Sequence, residues 1–322
     1  MHVSHLLIAI VLLCSICLVY TCSGSEINED IRLHKNYHLI NDRTCGLVYH
    51  NRIVGGKNAR IGQFPWMAQI KLGWEENESS SSIQNRWFFV ICGGVIVNKF
   101  YVLSAAHCIL DTNSYSLGIA LGEHTTNQDP DCEQNVCAPR VQYRAIERII
   151  KHSEHDGSKF LNDIALIRLR NPIKFNDYVK PICLVTDDQG LNFTNEYAEV
   201  AGWGVTSPEI NEKSNVLQTL KLKIGPEDYC SALYCRAMAF KNISTENPPK
   251  KTVICIGNEV GKDTCRGDSG GPAMKVLIKD GQPRYFLIGI LSAGSTICAN
   301  GSGAFFTDVS KYLRWILDNI QP

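Results

Sequence analysis

The sequence predicts an all-β fold, and three observations predict it. Short apolar or alternating runs recur between turn signals from residue 53 onward. No long helical patterns separate them as crossovers of a parallel sheet would, and the one clear helical pattern stands at the C-terminal end. Runs of this kind build antiparallel sandwiches or barrels, and the strands alone do not choose between the two.

In chain order the runs are Met67 to Leu72, Trp87 to Val97, Tyr101 to Ser104, Ser116 to Leu121, Ala145 to Ile150, Ile164 to Leu169, Ala198 to Ala201, Thr219 to Ile224, Tyr285 to Ser292 and Gly303 to Thr307. The helix follows, with Val309, Leu313, Ile316, Leu317 and Ile320 forming one apolar stripe. A terminal amphipathic helix ordinarily completes a core. The serine-rich stretch Glu75 to Gln84 and the stretch Asn242 to Lys251, which holds Pro248-Pro249, read as surface loops.

Composition limits the function. The chain has 322 residues, 44% of them hydrophobic, with 32 basic and 32 acidic side chains. That balance removes the broad attraction that nucleic-acid backbones require, so no nucleic-acid partner is expected. Leu6 to Val19 is an apolar run followed by the small residues Thr21, Ser23 and Gly24. It reads as a secretory signal peptide over residues 1–23, too short for a membrane span, and no second long apolar run follows.

Secretion decides how the 14 cysteines are read. Cys14, Cys17 and Cys22 leave with the signal, and the eleven that remain enter an oxidising compartment where a disulfide framework is the default. None of these forms a C-x₂-C pair, which speaks against zinc. Residues 24–52 are polar with a single cysteine, Cys45, and read as a propeptide or light chain without a core of its own. Sequons stand at Asn77, Asn192, Asn242 and Asn300, each a glycan acceptor if exposed. His124, His152 and His155 are isolated histidines, and surface or hydrogen-bonded roles suit them better than metal binding.

The chemistry is carried by three segments. Ser269 lies in Cys265-Arg266-Gly267-Asp268-Ser269-Gly270-Gly271-Pro272, where glycines let the backbone hold a hydroxyl outward and aim amides at a reacting oxygen. A serine hydroxyl is a weak nucleophile without a base and an orienting carboxylate. Val102-Leu103-Ser104-Ala105-Ala106-His107-Cys108 supplies an imidazole, and Asn162-Asp163-Ile164-Ala165-Leu166 a carboxylate. Any one of these alone would be an ordinary turn; the three together, in the order His107, Asp163, Ser269, are far more specific.

All three segments resemble those of chymotrypsin-family serine proteases, and the resemblance implies two packed six-stranded antiparallel β-barrels over residues 53–322 with the active cleft between them. The terminal helix is then expected to pack on the second barrel. Ser269 would attack a peptide carbonyl, His107 would move the proton, and Asp163 would hold the imidazole. The N–H groups of Gly267 and Ser269 would form the oxyanion hole. Asp263 falls where trypsin-like members carry the carboxylate that selects Arg or Lys, with Ser292 and Gly294 on the facing wall and Ala304 where an open pocket has glycine.

Arg52-Ile53-Val54-Gly55-Gly56 resembles the family's activation junction, so cutting after Arg52 would free the Ile53 amine to pair with Asp268. The pairs implied are Cys92 with Cys108, Cys230 with Cys255, Cys265 with Cys298, Cys132 with Cys137, and Cys45 with Cys183, leaving Cys235 over. The loop that Cys132 and Cys137 close is similar to one in arthropod clip-domain proteases, although residues 24–52 lack the six cysteines of a clip domain. Loop 121–131 resembles calcium loops of those proteases, which implies a structural calcium at Glu123, Asp131 and the carbonyls of Thr125 and Gln128; the alternative is a solvated acidic loop. No cofactor is required for the chemistry.

The expected partners are protein substrates, an upstream activating protease and serpin-type inhibitors, and the expected setting is a limited-proteolysis cascade of the immune or clotting type. A catalytically silent homologue acting as a binding cofactor would be marked by a changed Ser269 or His107, and both are intact. A venom or salivary effector would differ in biology more than in chemistry.

Overall fold

The computed structural model describes residues 31–48, 57–73, 87–110, 116–133, 135–186, 191–206, 212–244, 252–295, 298 and 300–322. The signal segment, the Arg52-Ile53 junction and Asn77 lie outside them.

The first barrel is built from β1 (Met67–Gly73), β2 (Trp87–Ile96), β3 (Tyr101–Ser104), β4 (Ser116–Leu121), β5 (Gln142–Lys151) and β6 (Ala165–Leu169). They close in the order β1-β2-β3-β6-β5-β4. β3 and β6 are rich in branched apolar residues, and Leu103, Leu166, Ile167 and Leu169 are fully buried in the ring with Trp66 and Ile96. β5 is half-exposed along its length, so it forms the solvent wall of the barrel.

The second unit holds β7 (Cys183–Leu184), β8 (Tyr197–Gly202), β9 (Gln218–Lys223), β10 (Val253–Ile256), β11 (Pro272–Lys279), β12 (Gln282–Gly294) and β13 (Ala304–Asp308). Six of them run β9-β8-β11-β12-β13-β10, with the pair Lys57–Asn58 added beyond β9 and β7 lying parallel to β12. The expected second unit of six strands is a curled half-barrel whose ends, among the described residues, meet at the bridge Ile224↔Ile256. Pro226 sets the reason: it caps helix α1 (Glu227–Phe240) and turns the chain away before a longer ladder forms. The pattern of α1 was invisible in the sequence because only Tyr234 and Met238 of its 14 residues are buried.

The terminal helix corrects an expectation. A 3₁₀ turn (Val309–Tyr312) leads from β13 into α2 (Leu313–Asn319), and Leu313, Ile316, Leu317 and Ile320 join the cluster that holds the first barrel's core together with Met274, Leu287 and Ile290, not the second unit's separate cluster. Polar contacts hold the crossing. The Tyr101 hydroxyl accepts the Gln321 N–H at 3.1 Å, and the Arg168 guanidinium reaches the Gln321 and Pro322 carbonyls.

Residues 31–48 are also more structured than a polar propeptide suggests. Ile31, Ile40 and Cys45 are buried, and Asn36 Nδ2 donates to the carbonyls of Leu317 and Ile320 at 2.9 and 2.8 Å. Asn41 exchanges two hydrogen bonds with Leu184, and Cys45 is bonded to Cys183. The strap should therefore stay attached after a cut at Arg52. Fully cut, oxidised protein is expected to run as one band on a nonreducing gel and as two after reduction; two bands without reductant would remove the Cys45–Cys183 bond from the description.

The other four pairs are Cys92–Cys108, Cys132–Cys137, Cys230–Cys255 and Cys265–Cys298, as the resemblance implied, and Cys235 is a free, exposed thiol. Among the described residues no helix is long and apolar enough to cross a membrane.

Candidate active site

The site lies where loops of both units meet. After β3 the chain makes a single 3₁₀ turn, Ala106–Cys108, and the Cys92–Cys108 bond pins that turn to β2. His107 is presented from it. The Asp163 carboxylate, 2% exposed, accepts the His107 backbone N–H on Oδ1 at 2.9 Å and faces Nδ1 through Oδ2 at 2.7 Å. Contact with both backbone and ring fixes the imidazole's orientation and places the proton on Nδ1, leaving Nε2 as the basic nitrogen.

Asp163 is aimed by its neighbour. Asn162 sits at φ +49°, a left-handed conformation that asparagine tolerates better than most residues, and its side chain takes the Tyr312 hydroxyl at 2.8 Å and donates to the Glu154 carbonyl at 2.9 Å. From the second unit, the Ser292 hydroxyl donates to Asp163 Oδ2 at 2.5 Å and Thr307 Oγ1 to the Asp163 carbonyl at 2.9 Å. Burial pushes the Asp163 carboxyl up, but the hydrogen bonds from His107 and Ser292 and the charge of His107 outweigh it and hold it below its ordinary value. A second imidazole approaches: His155 Nδ1 is 3.9 Å from Asp163 Oδ1.

The resemblance places Ser292 only on the substrate wall. The structure turns its hydroxyl onto Asp163, and nothing in the local sequence signals this, because the partner is 129 residues away.

Ser269 is seated between the same two units. Its carbonyl accepts the Gly93 N–H at 2.7 Å, and the next amide, Gly270 N–H, donates to Leu291 of β12 at 2.9 Å. Gly270 has φ +76°, and a Cβ there would lie 2.3 Å from Ser104 Oγ and 3.3 Å from Cys108 Sγ, so only glycine lets the loop close on the histidine turn. Cys92, His107 and Cys108 are compact enough to suggest a metal group, but both sulfurs are consumed in their disulfide.

Asp268 is half-buried as a residue but its carboxylate is enclosed, its oxygens accepting the N–H groups of Gly204 at 2.7 Å and Cys265 at 2.9 Å. A Cβ at Gly204 would lie 2.4 Å from Oδ2, so the carboxylate occupies the space that the glycine leaves. Burial pushes its pKa up to about 6 against the pull of those two amides and of Lys213. Lys213 Nζ donates to the Val90 carbonyl at 2.8 Å, and its Cε lies 2.9 Å from where a Cβ on Gly267 would be. Gly267 itself has φ +101°. The expected partner of Asp268, the Ile53 amine, lies outside the described residues.

A cavity of about 250 Å³ beside the Ser269 loop is lined by Asp263, Cys265, Asp268, Leu291 and Phe306 among others. Asp263 is half-buried there and accepts the Thr264 N–H at 2.8 Å. Gly294 and Ala304 face one another across β12 and β13, and a Cβ at Gly294 would stand 3.5 Å from that of Ala304. The Cys265–Cys298 bond braces the cavity wall. Of the sequons, Asn192, Asn242 and Asn300 are exposed.

The expected calcium ligands are arranged otherwise. Asp131 accepts the His124 and Thr125 N–H groups on its two oxygens, both at 2.9 Å, and the Thr125 carbonyl takes the Gln128 N–H at 2.8 Å. Glu123 faces the ammonium of Lys71 at 3.6 Å. Glu123 Oε2 thus faces a lysine ammonium at the position where the resemblance implies a metal cation.

Comparison with known proteins gives the geometry its context. Residues 53–316 match the trypsin family model. The chain is 34% identical to the CLIP domain-containing serine protease HP8 of Bombyx mori, over 88% of this chain and 73% of that protein. It is 33% identical to the Spaetzle-processing enzyme of Drosophila melanogaster, over 86% of this chain and 68% of that protein. Among solved structures, the Drosophila Grass clip serine protease of the Toll pathway superposes with a TM-score of 0.67 at 27% identity, covering 90% of this chain and 77% of that one. With its buried Asp163 on His107 and the Ser269 loop packed against Gly93 and the Cys108 end of the histidine turn, the chain belongs to the trypsin family of serine endopeptidases.

Proposed function

We propose that this chain is a secreted serine endopeptidase, held inactive until it is cut after Arg52, that cleaves protein substrates after Arg or Lys within a limited-proteolysis cascade. The observation that carries the catalytic part is the Asp163 carboxylate, shielded from water and held by His107 and Ser292. Ser269 attacks the scissile carbonyl, His107 Nε2 takes its proton and returns it to the leaving amine, and the Gly267 and Ser269 amides receive the oxyanion.

Two further observations support the finer reading. Asp268 is bound to backbone amides and lies close enough to Lys213 to feel its charge, which suits a carboxylate waiting for a stronger cation. The cascade setting is supported by relatives such as the Spaetzle-processing enzyme and the melanization protease 1 of Drosophila melanogaster. An upstream activating protease, serpin-type inhibitors and glycans at Asn192, Asn242 and Asn300 belong to the same reading.

Primary specificity tests it. The cut enzyme is expected to favour Arg or Lys on a mixed peptide library, and Asp263→Ser to lose that preference by at least tenfold while Ser269 still reacts with a small phosphonylating reagent. A wild-type profile dominated by Leu or Phe would overturn the assignment of Asp263 and point to the Ala304 methyl. A cut chain that cleaves nothing, and whose Ser269 stays unreactive, would favour the silent binding cofactor.

A further inference from the structure

We propose that Lys71 is the built-in counter-cation of the 121–131 loop, standing where the resemblance placed calcium, so that this loop closes without a metal. Lys71 lies on β1, in the mostly apolar and buried strand Met-Ala-Gln-Ile-Lys-Leu-Gly, and its side chain is only 9% exposed. A lysine there is costly unless a carboxylate receives its charge. Glu123 does so: Oε2 lies 3.6 Å from Nζ, and the Glu123 side chain is 3% exposed. The ammonium also stands 5.4 Å from the centroid of the Tyr143 ring on β5, a second electron-rich surface.

Asp131 holds the loop's own backbone. It is 2% exposed and accepts the two amides that follow Glu123, one on each oxygen, which makes it a staple for that backbone. Glu123 Oε1 and His124 Nδ1 have no hydrogen-bond partner among the described residues, and both residues line a cavity of about 10 Å³, room for one water. A calcium ion on Glu123 would stand beside the ammonium of Lys71 in a site shielded from water, where like charges repel most strongly. One carboxylate cannot be the near partner of both cations. The lysine is covalently part of β1, so the lysine holds the place.

This inference is independent of the catalytic reading and is tested on the full chain by stability. Melting of the wild type in EDTA and in millimolar CaCl₂ is expected to agree within about 1 °C, and titration calorimetry with CaCl₂ to show no binding. Lys71→Met and Glu123→Gln should each lower the melting temperature by roughly 5 °C or more, since each leaves one buried charge or its partner uncompensated. The double variant should recover more than half of the summed loss, because the two effects are one pair. Lys71→Arg keeps the cation and should remain insensitive to calcium. A wild-type melting temperature that rises several degrees with calcium would overturn the proposal, and so would losses that simply add in the double variant.

Discussion

Replacing Asp163 by Asn in the cut enzyme is expected to lower kcat about 10⁴-fold without unfolding the chain, a loss of the size known for the matching change in a protease of this family. The carboxylate receives three donors: the His107 N–H on one oxygen, and Nδ1 of His107 and the Ser292 hydroxyl on the other. An amide has one oxygen and an NH₂. If the oxygen keeps the backbone N–H, the NH₂ faces Nδ1 and drives the ring proton to Nε2, where the base must be free. Steady-state rates on an Arg peptide, normalised by active-site titration of Ser269, measure the loss. Rates within tenfold of wild type would remove Asp163 from the machinery. Ser292→Ala leaves the carboxylate and is expected to cost far less.

The second large effect concerns the switch. The uncut chain should be nearly inactive, Arg52→Gln should keep it so in the presence of trypsin-like activators, and Asp268→Asn should lower the activity of the cut form by roughly 10²–10³-fold, because the Ile53 amine would then be buried without its charge partner. An uncleaved Arg52→Gln chain as active as the cut enzyme would sink the zymogen reading.

Linkage supplies a signature that does not need activity. In the uncut chain the Asp268 pKa is raised from 3.8 to about 6, so the folded state binds its proton more tightly than the unfolded one. Its contribution to stability is fully present below 3.8 and is lost as pH rises through 6, a change of about 3 kcal/mol at two pKa units. On the proposed activation, the Ile53 ammonium of the cut chain would favour the ionised form and reverse that trend. The melting temperature of the cut form should therefore gain on that of the uncut form between pH 4 and pH 7. Glu123, His124 and His152 titrate in both forms and largely cancel in the comparison. A gap that stays constant across this range would argue against an Ile53–Asp268 pair.

How far the sequence reveals this molecule depends on the range of the interaction. His107, Asp163 and Ser269 were legible because each sits in a local segment whose residue types are dictated by its own turn. The strands of the first barrel were legible from their apolar runs. Three features were not. The hydroxyl of Ser292 acts on a residue far away in sequence. Lys71 interrupts an apolar strand without a local sign that Glu123 lies opposite, 52 positions later in the chain. The stripe of α2 is plain, but a stripe says only that one face is buried, not which barrel buries it.

The crossing of α2 has a consequence for the order of events during synthesis. All six strands of the first barrel are complete once residue 169 has been made, yet part of its apolar core is supplied by Leu313, Ile316, Leu317 and Ile320. At ordinary elongation rates the ribosome needs roughly 8–30 s to make the intervening stretch. During that interval the first barrel carries an uncovered apolar face, and Lys57–Asn58, made before it, waits for Thr219 and Gln218 of the second unit. Each half thus keeps a piece of the other's structure, and the first barrel does not reach its native state until the last turn of chain arrives. A chain truncated before Leu313 should therefore lose the first barrel, the half most distant from the cut in sequence, and depend on chaperones that shield such a face.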